Sequence, residues 1–329
     1  MFGWFMAFRE NGAPIRYPEQ RTPVTLDTNI VGIYLIFLVP SIAFLIILSG
    51  IRKYRISSTI SFLLLMFVGC SLLISLNHPC WHRSDTQIHT QFKAFSSEKF
   101  TANITVRVGL QFFNMSLTSS ELDANGEIPL RYNERISFTE VHVLEKELEN
   151  AQKKGLPYPI LKVMEYLSAN GFSWGRQYRV AGYYTSFVLH LALFTWCITF
   201  LCLCFLPHMF AKALLSTGVL MVIGNFIFLS NIPRKMNIRF PTEYGSTVLQ
   251  FRLSFCFHFI ALAAMLSIFV ASIIWFLESW RIYRFKTIFA ACRYAEDSVV
   301  DFYRSASAVT SVISIPDKFI DEEIRYRKR

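Results

Sequence analysis

The chain has 329 residues, of which 53% are hydrophobic and only 17% are charged. Soluble globular domains carry about 25% charged residues, so this composition argues against a soluble protein and favours one that crosses a membrane. The formal net charge of +10 does not indicate a nucleic-acid-binding protein, because no basic patch with interleaved stacking aromatics occurs in the polar part of the chain.

Several apolar segments are long enough to span a bilayer, which needs about 20 residues. In chain order they cover residues 29–50, 57–76, 182–206, 209–230 and 253–278. A polar region at 77–181 and a loop at 231–252 separate them, and an N-terminal segment 1–28 and a basic tail 279–329 flank them. The sequence thus predicts a multi-pass α-helical membrane protein with five transmembrane helices.

Two signals indicate which side of the membrane each segment faces. Basic residues cluster directly after the first span, in IRKYR at 51–55, and after the fifth, in RIYRFK at 281–286, and such clusters favour the cytosolic side. The polar region carries two N-glycosylation sequons, at Asn103 and Asn114, which are modified on the surface of secreted domains. We therefore expect the N-terminus, the polar region and the 231–252 loop to be extracytosolic and the tail to be cytosolic.

The polar region combines strand and helix patterns. TANITVRVGLQFFNMSL at 101–117 alternates apolar and polar residues, with Ile104 and Val106 on one face, as in a half-buried strand. TEVHVLEKELENAQKKG at 139–155 has helical spacing and ends at Gly155, and PYPILKVMEYL predicts a second short helix. We expect a small α+β domain that is claudin-like in placing a sheet outside the membrane, although it lacks the claudin tryptophan and paired-cysteine pattern.

The stretch RQYRVAGYYTSF at 176–187 concentrates arginine and tyrosine at the start of the third span. These side chains anchor in the headgroup zone of a membrane, and the same residue types are enriched at the centres of protein interfaces. The pattern therefore predicts an interfacial anchor, a contact surface for a partner, or both. The candidate contacts are Arg176, Tyr178, Arg179, Tyr183 and Tyr184.

Two further features could contact a partner. Ala263, Ser267 and Ala271 place a small residue at every fourth position of the fifth span, which lets helices approach closely, either inside the bundle or against a partner's helix. Cys80 is the only cysteine of the polar region. An odd cysteine in an oxidising compartment indicates an intermolecular disulfide or a half-buried free thiol.

The sequence contains no nucleophile-elbow, phosphate-loop, zinc or dinucleotide motif, so we predict neither an enzyme nor a bound metal or cofactor. His190 and His258 each lie in the outer third of a span and could form one haem pair, but a hydrogen-bonded packing role fits them better. A haem-bearing electron carrier and a claudin-like adhesion or channel protein remain the alternatives.

Several segments resemble the dual oxidase maturation factors. They are FKAFSSE (92–98), ITVRVGL (104–110), KGLPYPIL (154–161) and RQYRVAGYYTS (176–186), together with LSGIRKYR after the first span. The order of the spans and the position of the glycosylated domain resemble that family as well. The resemblance covers roughly residues 22–280 and does not include the tail.

The resemblance implies a non-catalytic partner of a dual oxidase, a membrane NADPH oxidase that makes hydrogen peroxide. Members of the family escort the oxidase out of the endoplasmic reticulum and stay bound to it at the plasma membrane, which implies the same locations and a heterocomplex here. Vertebrate members carry a cysteine shortly before RQYR, where this chain has ANGFSWG. The resemblance therefore implies no covalent link at that point, and Cys80 is the local substitute.

Overall fold

The structure is a computed structural model, and it describes residues 28–50, 54–92, 99–119, 131–138, 140–168, 174–242 and 245–280. In chain order the elements are α1 (Thr28–Leu48), α2 (Arg55–Asn77), β1 (His82–Gln91), β2 (Lys99–Val108), β3 (Phe112–Ser119), β4 (Arg131–Ser137), α3 (Val141–Lys154), α4 (Tyr158–Leu167), α5 (Gly175–Phe205), α6 (Pro207–Asn231), β5 (Asn237–Thr242), β6 (Gly245–Gln250), β7 (Arg252–Leu253) and α7 (Phe255–Ser279). The N-terminal segment up to residue 27 and the basic tail from residue 281 lie outside the described residues.

Five of the described helices, α1, α2, α5, α6 and α7, are long and apolar enough to cross a membrane. They confirm the predicted five-helix multi-pass architecture. With 31 residues, α5 is about 46 Å long at 1.5 Å per residue, whereas the hydrocarbon core of a bilayer is about 30 Å thick. The sequence predicted a third span from residue 182, but the helix begins seven residues earlier, at Gly175, and is longer than a span requires.

The residues between α2 and α5 form an antiparallel sheet and two helices, which confirms the predicted α+β domain. The sheet has five strands in the order β4-β3-β2-β1-β7. Its edge strand comes from the far loop, because β7 pairs with the first two residues of β1 and places His82 opposite Leu253. The sequence predicted 231–252 only as a loop, but this segment also contains the β5–β6 hairpin.

Alternation along the strands gives the sheet one buried face. In β2, Ala102, Ile104, Val106 and Val108 are buried, while the residues between them are exposed or half-buried. The buried face belongs to the same hydrophobic cluster as α4, which contributes Ile160, Val163, Met164 and Leu167. The cluster continues into the ends of the membrane helices that adjoin the sheet, so the domain and the bundle share one core.

Local signals in the sequence explain where α3 ends. Gly155 adopts the left-handed conformation (φ 72°), and its amide donates to the carbonyls of Ala151 and Gln152, which is the usual glycine cap of a helix C-terminus. Leu144 and Ala151 face the core, as the spacing predicted, but Val143 is exposed. The predicted cap at Thr139 lies outside the described residues.

Small residues bring α6 and α7 together in the bundle. A side chain at Gly218 of α6 would place its Cβ 2.6 Å from Ser267 Oγ and 2.8 Å from Ile268 Cγ1. Since neither distance is available to a real Cβ, a larger residue at 218 would force the side chains of Ser267 and Ile268, or the helices that carry them, to move.

We expect Gly218→Leu to destabilise the bundle by about 1–3 kcal/mol or more, because overpacking forces neighbouring side chains and backbone to move. Gly32→Leu in α1 is the matched control, since a Cβ at Gly32 has no atom within 4 Å. Both substitutions replace glycine by leucine inside a helix, so they change the intrinsic helix propensity in the same way. Thermal unfolding of the two purified variants in detergent should separate them, and equal melting temperatures would contradict the α6–α7 contact.

Candidate partner-binding site

The stretch RQYRVAGYYTSF forms the first turns of α5, where the helix leaves the bundle and meets the sheet. Helical spacing divides it into two faces. Tyr178, Ala181, Gly182 and Thr185 are buried against the rest of the chain. Arg176, Val180, Tyr183 and Tyr184 are exposed. The structure therefore separates the five candidate contacts that the sequence had grouped together.

Tyr178 is wholly buried and anchors the helix to the sheet. Its hydroxyl lies 3.4 Å from the carbonyl oxygen of Val108 and 3.5 Å from His82 Nδ1. Edge-to-face contacts surround its ring, from Phe138, Trp174, Phe228 and His82. The expectation that Tyr178 contacts a partner is therefore wrong, because no surface of this side chain is available to one.

His82 completes this aromatic cluster from the first residue of β1. Its imidazole is buried, and burial lowers its pKa from 6.5 to about 4, so the ring is neutral at physiological pH. The neighbouring Trp81 donates its indole N–H to the carbonyl oxygen of Ser75 at 2.7 Å and packs on Phe228 with 4.6 Å between ring centroids. These contacts join the sheet to α2 and α6.

Arg179 also has a structural partner. Its Nη1 donates to the carbonyl oxygen of Leu167 at 3.3 Å, the last residue of α4, where helix carbonyls lack intrahelical partners. A basic group at this end also complements the helix dipole. Arg179 is half-buried and holds α4 against α5, which leaves Arg176 as the exposed arginine of the motif.

Gly182 permits the closest approach between helix and sheet. A Cβ at this position would lie 2.7 Å from the carbonyl oxygen of Leu110, in the turn that joins β2 to β3. Backbone cannot retreat as a flexible side chain could, so any larger residue at 182 would push α5 away from the turn. On the same side, Gln111 Nε2 donates to Ser186 Oγ at 3.2 Å.

The exposed face of the motif is the candidate partner surface. Tyr183 is 68% exposed and Tyr184 is 52% exposed, and their rings meet edge to face at 5.8 Å. Together with Arg176, about two helical turns earlier, they form what we call the tyrosine surface (Arg176, Tyr183, Tyr184). It combines rigid amphipathic rings with one cation, a composition enriched where protein interfaces are most energetic.

The small residues of α7 do not contribute to that surface. Ala263, Ser267 and Ala271 are all fully buried inside the chain, and the backbone of Gly218 in α6 packs on Ser267. Of the two packing modes the sequence allowed, the structure has the internal one. The expectation that these residues face a partner's helix is therefore wrong.

Cys80 is buried as well, between the end of α2 and the start of β1. Burial raises the pKa of its thiol, although the nearby Arg107 and Arg83 act in the opposite direction. A buried thiol with a raised pKa is a poor nucleophile and is not accessible to another polypeptide. The predicted intermolecular disulfide at Cys80 is therefore not compatible with this structure.

Both predicted glycosylation sites lie on the outer face of the sheet. Asn103 of β2 is exposed and lies opposite Thr118, and Asn114 of β3 is half-exposed and lies opposite Arg107. The alternation that buries Ile104 and Met115 directs both asparagines away from the core. Glycosylation at these positions remains a prediction.

The two membrane-helix histidines that could form a haem pair lie on the surface of the bundle. His190 and His258 are both exposed on the bundle surface, and His190 Nδ1 donates to the Ser186 carbonyl of its own helix at 2.7 Å. Across the described ranges, no three His, Cys, Asp or Glu side chains come together as metal ligands do.

The same chain can be compared with known proteins. The family model described as dual oxidase maturation factor matches residues 16–292. The chain belongs to the dual oxidase maturation factor family. Dual oxidase maturation factor 1 of Caenorhabditis elegans is 35% identical over 294 residues, which is 86% of this chain and 74% of that protein. Human dual oxidase maturation factors 1 and 2 are each 29% identical, over 71% and 72% of this chain and 68% and 76% of their own lengths.

In this member of the family, sequence reasoning missed the aromatic cluster at the sheet–bundle junction. The buried positions of β1 are occupied by His82, Ser84 and Thr90 beside Ile88, so the strand shows no apolar alternation. A single signal was available: Trp81 and His82 lie only five and six residues after the predicted second span, and large aromatic groups at such a junction favour burial.

The pKa of His82 predicts a dependence of stability on pH. The unfolded chain binds a proton at His82 below about pH 6.5, whereas the folded protein binds it only near pH 4. Stability is therefore fully present above pH 6.5 and falls as the pH drops from 6.5 to 4, by roughly 3 kcal/mol in total.

The measurement is the melting temperature of the purified protein across that pH range. His82→Gln should flatten the dependence, and His89→Gln, which changes an exposed histidine of the same strand, should leave it as in the wild type. If His82→Gln retained the full slope, another group would be responsible.

Proposed function

We propose that this chain is a non-catalytic maturation partner of a dual oxidase, required for the oxidase to leave the endoplasmic reticulum, reach the cell surface and produce hydrogen peroxide. The observation that carries the proposal is the family match over residues 16–292, which includes all five described membrane helices and the whole sheet domain. The names of the relatives in worm and human specify maturation of a dual oxidase.

The shape of the molecule supports binding rather than chemistry as the role of the motif. The buried half of RQYRVAGYYTSF fixes the sheet domain on the bundle, and the exposed half presents the tyrosine surface beside the sheet. A surface on a rigid helix loses little conformational entropy when a partner binds. We propose that the oxidase contacts this surface and the adjoining sheet domain within the membrane heterocomplex.

The proposed location is the endoplasmic reticulum and the plasma membrane, with the N-terminus and the sheet domain extracytosolic and the tail cytosolic. The basic clusters that follow the first and fifth spans support this orientation. The outward direction of Asn103 and Asn114 supports their glycosylation on the same side.

Co-expression tests the proposed function directly. In cells that lack both proteins, a matched dual oxidase should reach the surface and release hydrogen peroxide only when this chain is present. Surface biotinylation and an extracellular peroxide assay measure the two outcomes. If a matched oxidase behaved identically with and without the chain, the proposal would fail, and self-association of the chain between cells would then favour a claudin-like adhesion or channel protein.

The triple variant Arg176→Ala, Tyr183→Ala, Tyr184→Ala tests the tyrosine surface. We expect at least a tenfold weaker complex, because truncating central interface residues costs about 2 kcal/mol or more each, together with a corresponding loss of surface oxidase. Co-purification with the oxidase from detergent extracts is the measurement. Phe194→Ala is the control, since it removes an aromatic side chain of similar exposure, 63%, farther along the same helix.

Correct folding of the triple variant must be shown by an unchanged melting temperature, which its exposed positions predict. A well-folded triple variant that co-purifies as the wild type does would exclude the tyrosine surface. That result would leave the proposed function itself intact, because the sheet domain could carry the contact.

A further inference from the structure

Two buried cysteines meet where the sheet joins the bundle. Cys80 precedes β1, and Cys256 is the second residue of α7. Both are thiols in the structure, Cys256 is fully buried, and Cys80 is 9% exposed. The sequence analysis placed Cys80 in the polar region and Cys256 in the fifth membrane span. Only the folded structure shows that the two residues are neighbours.

The backbones of the two residues are joined by a hydrogen bond. The amide of Cys256 donates to the carbonyl oxygen of Cys80 at 3.0 Å, and the amide of Ser254 donates to the carbonyl oxygen of Trp81 at 2.9 Å, which continues the pairing of β7 with β1. With standard backbone bond lengths and angles, a single hydrogen bond from the amide of one residue to the carbonyl oxygen of the other limits the separation of their Cα atoms to roughly 6 Å. That separation lies inside the window of about 4.4–6.8 Å that a disulfide can bridge.

The side chain of Cys256 is directed toward Cys80. Its Sγ lies 3.9 Å from the carbonyl oxygen of His78, and the same oxygen accepts the amide hydrogen of Cys80 at 2.9 Å. The sulfur therefore lies against the short segment that carries Cys80, inside the protein. The raised pKa of the Cys80 thiol fits a structural role better than a reactive one.

We propose that Cys80 and Cys256 form a disulfide in the mature protein, closing the junction between the sheet domain and the bundle. The extracytosolic placement predicted for this junction puts both thiols in the oxidising compartment where disulfides persist. This covalent link is a property of the chain itself and does not depend on an oxidase being bound.

Thiol–disulfide exchange accounts for the bond. An oxidised dithiol oxidoreductase of the secretory pathway accepts two electrons, the two cysteines lose their protons, and an Sγ–Sγ bond forms while the enzyme's own disulfide becomes two thiols. The exchange must take place before β7 pairs with β1, because both thiols are buried in the folded protein. Burial then protects the disulfide from reduction.

Differential alkylation of the full-length protein from secretory-pathway expression tests the proposal. Cells are blocked with N-ethylmaleimide, and the protein is denatured in the same reagent, then reduced and labelled with an isotopically heavy maleimide. Mass spectrometry should find only the heavy label on Cys80 and Cys256 and, before reduction, one cross-linked peptide containing both. Cys197, exposed in α5, should carry the light label and serves as the internal control.

Single substitutions sharpen the test. In Cys80→Ser, Cys256 should become available to the light label, and Cys256→Ser should do the same for Cys80. Each should lower the melting temperature by several degrees, and the double variant should lower it no further, because either loss removes the same bond. Cys197→Ser should leave the melting temperature unchanged.

Three results would overturn the proposal: light label on both cysteines in the wild type, a disulfide from either cysteine to another residue, or a mixed disulfide between Cys80 and a second polypeptide.

The labelling is performed with and without a co-expressed dual oxidase, so that the test of the disulfide stays independent of the test of the proposed function. The intramolecular peptide should be present in both samples, whatever the oxidase assay shows. If the variants fail to fold, the labelling of the wild type still decides.

Discussion

The structure depends on one close contact, between the first turns of α5 and the β2–β3 turn of the sheet. The helix is longer than the hydrocarbon core of a bilayer is thick, and its first turns bury one face against the sheet domain. Gly182 allows the backbone at Leu110 to approach, and Tyr178 fills the space beside it. Because this contact belongs to a continuous core, the sheet domain is an extension of the membrane bundle.

This constraint gives the most distinctive stretch of the sequence two simultaneous roles. Tyr178 and Arg179 hold the sheet and α4 in place, and Tyr183 and Tyr184, a turn or so later, remain exposed. Under the proposed function, the oxidase would contact a surface that exists in its final form only after the sheet has docked. Binding would therefore favour copies of the chain in which the sheet has docked.

Periodicity in the sequence was sufficient to predict the five helices, the strand containing Ile104 and Val106, and the end of α3 at Gly155. It could not predict which residues of RQYRVAGYYTSF are buried, because residue type alone does not distinguish the buried Tyr178 from the exposed Tyr183. It also missed β1, whose buried positions include His82, Ser84 and Thr90, and β7, which is only two residues long. In each case tertiary contacts decide burial, and residue type does not reveal it.

Cys80 shows how dividing a chain into segments can mislead. Counted within the polar region it is an odd cysteine, and an odd cysteine favours a partner. The structure contradicts that reasoning, because β7 pairs with β1 and places Cys256 next to Cys80.

A second contact holds the junction between the sheet domain and the bundle. The indole N–H of Trp174 lies 3.4 Å from the carbonyl oxygen of Asn237. Trp174 directly precedes α5, so this noncovalent contact joins the start of that helix to the far loop. A disulfide between Cys80 and Cys256 would join the segment before β1 to the start of α7, without requiring a covalent bond to any partner.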